Sequence, residues 1–147
     1  MENDTQKLLA DLNQAVIQFR GLYSAWSKKH GISYNEMLVL YTIRDNGFCT
    51  QKQICDSYLL PRQTMNHVIT DMRKRGLLTI SPKQGSGREK AFVLTRKGQT
   101  YAAPLLDSLN KIEAQAIESA GCGTIRSLSE SLMDFDSILK QSMEENA

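Results

Sequence analysis

The chain has 147 residues, 41% hydrophobic and 23% charged, which suits one compact domain or a domain with an appended helical part. No run approaches the roughly 18 uninterrupted apolar residues of a membrane span. The opening MENDTQKLLADL lacks the basic start and apolar stretch of a signal peptide, so a cytoplasmic protein with no membrane partner is expected. Net charge is only +2, yet residues 50–98 hold ten cations against three anions, a local +7 that leaves −5 for the rest. A basic middle between acidic ends is the footprint of a nucleic-acid-binding module, although a solvated charged face gives the same count.

In chain order, the first element is a long amphipathic helix over about residues 5–29, because Leu8, Leu9, Leu12, Val16, Phe19, Leu22, Tyr23 and Trp26 recur at spacings of three and four. Gly31 ends it. SYNE at residues 33–36 fits a capping box, with the Ser33 hydroxyl accepting from the Glu36 amide and the Glu36 carboxylate reaching back to the Ser33 amide. The helix that follows carries Met37, Leu38, Leu40, Tyr41 and Ile43 and stops at DNG, residues 45–47. TQKQ at residues 50–53 repeats the capping logic and opens a short helix with Ile54 and Tyr58 inward.

Pro61 marks the first turn of the next helix, where its missing N–H costs nothing. This helix runs to about Lys74, with Gly76 as its stop and Met65, Val68, Ile69 and Met72 as its buried stripe. Its outer face then carries Arg62, Gln63, Asn66, His67, Thr70, Arg73 and Lys74. Two short helices joined by a few residues, the second displaying amides, an imidazole and guanidiniums, have the form of a helix-turn-helix. Gln63 and Asn66 suit bidentate pairing with adenine and Arg62 suits guanine or phosphate. Thr64 and Thr70 suit a phosphate or a thymine methyl. Lys74, Lys83 and Lys90 are placed to meet phosphates, which position a protein on DNA without reading its sequence.

LLTISP at residues 77–82 and KAFVLT at residues 90–95 are β-prone, and the connection KQGSGRE is glycine-rich and basic, so they read as a hairpin. A hairpin directly after a recognition helix is a wing, and Arg88 stands where it can reach a minor groove. Beyond it, Thr95 caps a helix with Tyr101, Leu105, Leu106, Leu109 and Ile112 inward, and Pro104 is expected to kink it. GCG at residues 121–123 breaks the pattern. Thr124 is then expected to cap a last helix bearing Ile125, Leu128, Leu132, Phe135, Ile138 and Leu139. The first and last helices together present more apolar surface than the small middle domain can cover, which points to dimerisation.

The stretches GISYNEMLVLYTI, TQKQICDSYLLPRQTMNHVITDMRKRGLL and GREKAFVLTRKGQ resemble the MarR family of winged helix-turn-helix regulators. The most specific elements are Leu94, Thr95, Lys97 and Gly98, with Arg88 six residues before that leucine. The resemblance spans nearly the whole chain. It implies a mainly α protein with a β-hairpin wing, a winged domain over residues 33–98, and dimerisation helices at residues 1–32 and 99–147. It also implies a bacterial-type repressor acting as a homodimer on a pseudo-palindromic operator in double-stranded DNA and released by a small aromatic or lipophilic effector. One departure stands out: the family usually has an aspartate two residues before the wing arginine, here Ser86, and Glu89 is the available substitute.

An effector cavity in such a protein would draw on Tyr23, Trp26, His30, Tyr34, Met37, Tyr41 and Tyr101, although aromatics at helical spacing also serve as plain core. Cys49, Cys55 and Cys122 form no CxxC pair or disulfide framework and read as reduced thiols. Cys49 and Cys55 bracket the start of the first short helix, where oxidation would disturb the DNA head. His30 and His67 neighbour no metal-spaced cysteine or carboxylate cluster, and no phosphate loop, GxSxG or HExxH occurs. No metal, cofactor or catalytic activity is therefore expected. Two alternatives stay open, a winged module that docks an acidic protein and an oxidation-sensing regulator of the same fold.

Overall fold

A computed structural model of the chain describes residues 1–82 and 88–147. Six helices and three short strands follow in the order α1 (Glu2–Lys29), α2 (Tyr34–Asn46), β1 (Cys49–Thr50), α3 (Gln51–Tyr58), α4 (Arg62–Lys74), β2 (Leu78–Ile80), β3 (Ala91–Leu94), α5 (Arg96–Ala120) and α6 (Cys122–Glu145). The contacts divide the chain into two compact units, Met1–Leu106 and Asp107–Ala147.

The first unit is built around α2, α3 and α4. Val39, Leu40 and Ile43 of α2 meet Ile54 of α3 and Met65, Ile69 and Met72 of α4, closed off by Cys49, Leu77, Leu78 and Phe92. Each fully buried aliphatic chain of this kind contributes about 1.5–3 kcal/mol. The buried stripe of α4 is the one its spacing predicts, and Val68 packs at its margin. Met37 joins α2 to α1, because its sulfur lies 3.1 Å from the buried Ser27 hydroxyl, itself 2.8 Å from the Tyr23 carbonyl.

Local chemistry sets most element boundaries. Thr50 and Gln53 form a complete capping box at α3, with Thr50 Oγ1 accepting from the Gln53 amide at 3.0 Å and Gln53 Oε1 accepting from the Thr50 amide at 3.4 Å. Thr95 caps α5 by accepting from the Gly98 amide at 2.9 Å. Gly47 and Gly76 end their helices with φ of 82° and 75°, a left-handed backbone that glycine adopts without strain. At Gly98 an added Cβ would lie 2.1 Å from the Leu77 carbonyl oxygen, so the start of α5 approaches the end of α4 through bare backbone.

Four local expectations change. The box at α2 is half formed: Ser33 accepts from the Glu36 amide at 3.0 Å, but the Glu36 carboxylate turns to Arg75 and Tyr101. The hairpin pairs Leu78 with Leu94, Thr79 with Val93 and Ile80 with Phe92, and β1 adds a third strand by pairing Cys49 with Phe92, giving the order β1-β3-β2. Two residues are too few to show an alternating pattern. α6 begins at Cys122 behind Gly121 as N-cap, so Thr124 lies inside the first turn rather than before it. Finally, Ile112, expected to face inward, is 49% exposed; α6 buries no residue, with Leu128 63% and Ile138 62% exposed.

Candidate nucleic-acid interface

α4 presents Arg62, Gln63, Asn66, His67, Thr70, Arg73 and Lys74 to solvent, with Thr64 half-buried at its first turn. The helix starts directly behind Pro61, whose extended backbone turns the chain after Leu59, a left-handed residue with φ of 52°. Because Met65, Ile69 and Met72 bind the opposite face to the core, the polar face is held rigidly outward.

Several of these side chains are oriented by neighbours that sequence spacing does not connect. The Asn66 amide oxygen accepts from Gln51 Nε2 at 3.1 Å, which fixes the amide and leaves its NH₂ outward as donor. The Arg73 guanidinium lies 5.7 Å from the Phe92 ring centroid, over β3. Glu89, at the base of the wing, accepts from the Lys52 amide at 3.0 Å in the first turn of α3 and pairs with Arg62 at 3.7 Å. A carboxylate on the amides of a helix start is favoured by the helix dipole. Glu89 is thus engaged at α3 and α4, where the sequence offered it as a partner for Arg88.

Arg88 and Lys90 are exposed beside it, whereas Lys83 and Ser86 lie outside the described residues. Gln51 and Lys52, at the start of α3, bond to residues of this candidate face, and the sequence did not single them out.

The aromatic set divides. Tyr23, Met37 and Tyr41 line a small cleft of about 100 Å³ together with Phe19, Arg20, Leu38 and Tyr58. Ligand pockets generally measure about 300–1,000 Å³, so an effector larger than a single ring needs this cleft to open. Arg20 lies 5.3 Å from the Tyr34 ring centroid and 5.6 Å from that of Tyr58, a cation held between two phenols. Trp26 and His30 stack on each other at 4.2 Å instead, and the Trp26 indole N–H is buried without a hydrogen-bond partner. Tyr101 is also elsewhere, its hydroxyl donating to Glu36 Oε1 at 2.8 Å. Burial, and after it the bond to Glu36, raises the Tyr101 phenol above its ordinary range. Hydrogen bonding to Glu36 likewise holds Arg75 charged beyond the usual arginine range.

Cys49 is fully buried and burial pushes its thiol up to about 12, while Cys55 is half-buried with its sulfur 3.9 Å from the Pro61 carbonyl oxygen. Among the described residues no three His, Cys, Asp or Glu side chains gather as a metal site, and no helix is long and apolar enough to cross a membrane.

A MarR family model matches residues 30–89, the segment that carries α2, α3, α4 and the start of the wing. A MarR family regulator from Neisseria meningitidis shares the fold with a TM-score of 0.84 at 26% identity, over 95% of this chain and 99% of that one. This winged helix-turn-helix resembles the MarR family. Two more distant solved structures align as well. BpsR of Bordetella bronchiseptica, whose DNA binding is regulated by 6-hydroxynicotinic acid, matches with a TM-score of 0.64 at 16% identity over 88% of this chain and 98% of that one. Overoxidized AbfR bound to DNA matches with a TM-score of 0.63 at 21% identity over 95% and 99% of the two chains. No curated protein sequence matches the chain significantly. The family model ends at residue 89, so its match covers the helix-turn-helix and the base of the wing.

Proposed function

We propose that the protein is a sequence-specific regulator that binds double-stranded DNA as a homodimer on a pseudo-palindromic operator, acting as a repressor. The observation that carries this reading is the outer face of α4, a row of exposed amides and cations on a helix whose other face is locked into the core of a MarR-family head. Arg62, Gln63, Thr64, Asn66 and His67 read the major groove and Arg88 the minor groove, with Thr70, Arg73, Lys74, Lys83 and Lys90 on phosphates. Residues 33–98 are the DNA-binding domain in this reading, and residues 1–32 and 99–147 supply the dimer helices. A two-fold dimer would set its recognition helices about 34–36 Å apart, one turn of DNA. No catalytic step is assigned.

The dimer has support in the exposed apolar residues of the long helices. Leu8, Phe19 and Leu22 are 71%, 56% and 68% exposed, and they fall on one side of α1 at helical spacing. On α6, Ile125, Leu128, Leu132, Phe135, Leu139 and Met143 share one side, with Leu128 and Met143 both 63% exposed. Apolar stripes of that length on a single chain call for a second copy.

Release by a small aromatic effector is supported by the cleft between α1 and α2, which Tyr23, Tyr41 and Tyr58 line together with Arg20. The oxidation-sensing alternative has little support at Cys49, since a thiol held near 12 is neither thiolate nor nucleophile at neutral pH. The protein-docking alternative lacks apolar anchors on the outer face of α4.

Two substitutions test the base-reading role. Asn66→Ala should relax sequence preference, whereas Lys90→Ala should weaken binding to every duplex and flatten the salt slope by about one unit. Equal losses on specific and random DNA for Asn66→Ala would contradict it.

A further inference from the structure

Glu36 is 7% exposed and stands at a junction of three helices. Its carboxylate accepts from the Tyr101 hydroxyl at 2.8 Å and from Arg75 Nη1 at 3.0 Å, while Arg75 also reaches the Tyr101 oxygen at 3.3 Å and Asp71 at 3.1 Å. The Arg75 guanidinium lies 5.5 Å from the Tyr101 ring centroid. These groups come from separate places: Glu36 from the first turn of α2, Arg75 from the C-cap of α4, and Tyr101 from the second turn of α5.

We propose that Glu36, Arg75 and Tyr101 are positioning residues that set the angle at which α4 is presented to DNA, a role that rests on the reading of α4 as the base-reading helix. Three features support it. Adhesion alone does not need this cluster, because Arg75 is 40% exposed and an ion pair open to solvent on one side contributes little to stability. Hydrogen bonds are directional, so a carboxylate shared by a guanidinium and a phenol allows one arrangement of its three helices where an apolar contact allows a range. The cluster also holds the C-cap of α4, so a change there rotates the whole outer face from Arg62 to Lys74.

The test uses the intact protein. A random duplex library is enriched on the wild type, and the best duplex and an unselected duplex of equal length are titrated by fluorescence anisotropy, with thermal unfolding followed in parallel. The variants are Tyr101→Phe, which deletes one oxygen and keeps the ring under Arg75, and Glu36→Gln, which keeps the shape and removes the charge. Both should lose about tenfold or more on the enriched duplex and stay within about twofold on the unselected one. Parallel losses on both duplexes, or unchanged binding with a lowered melting temperature, would make the cluster merely structural and overturn the proposal. Failure of the wild type to enrich any duplex overturns the base-reading role of α4 and the proposal with it, and that failure is visible before any variant is made.

Discussion

Gln51 shows how a single side chain can matter to a site without belonging to its helix. By donating to the Asn66 oxygen at 3.1 Å it holds the amide that α4 would present to a base. Gln51→Ala should therefore shift Asn66 toward alternative rotamers and lower the ratio of specific to random binding, in the same direction as Asn66→Ala and by less; titration of the two variants on the same duplex pair checks the order. Residue exposure also makes a chemical prediction. With Cys49 buried and its thiol near 12, a thiol reagent at pH 8 should label Cys122 quickly, Cys55 slowly and Cys49 only after unfolding. Mass-mapped labelling of Cys49 in the native protein would contradict its assignment as inert core. The outward residues of α4 were legible because helical spacing sorts faces. Gln51 and Glu36 were not, since their partners lie 15, 39 and 65 residues away and no local pattern reports such pairs.

Helix starts and stops were the best-read features of the elements. Thr50 with Gln53, Thr95 before α5, and the glycines after α2 and α4 each do what their side chains, or the lack of one, allow. Thr50→Ala removes one half of the capping box and should cost about 1 kcal/mol, seen as a fall of a few degrees in melting temperature. Gly98→Ala is a sharper case. Its new Cβ would fall 2.1 Å from the Leu77 carbonyl oxygen, so α5 must move off the end of α4 and β2. A loss well beyond that of Thr50→Ala is expected in a denaturant titration, and a near-neutral result would mean that the close approach is not present in solution. β1 escaped the sequence because two residues cannot alternate, and the α6 cap was misplaced because Gly121, with φ of 93°, turns the chain before Thr124 is reached. Ser33 illustrates a different limit. A capping-box pattern states what Glu36 can do locally, and the tertiary partners Arg75 and Tyr101 decide what it does.

For the whole molecule, the exposed apolar side chains of α1 and α6 are the features least explained by one copy of the chain. Leu128→Asp, at an exposed position of α6, should shift the proposed dimer to monomer in sedimentation velocity and weaken operator binding, because a monomer loses the second half-site. Retention of the dimer would place the interface elsewhere. The fold class, the helix-turn-helix and the wing were all visible in periodicity and turn residues, whereas the amphipathic terminal helices could be read only as needing a partner. The measurement that decides most is a titration of the intact protein against fragments from around its own coding region, repeated across a range of salt concentrations. Tight binding to one palindromic fragment, with log affinity falling steeply against log salt, is the expected result. Weak binding of equal strength on every fragment would contradict a sequence-specific regulator.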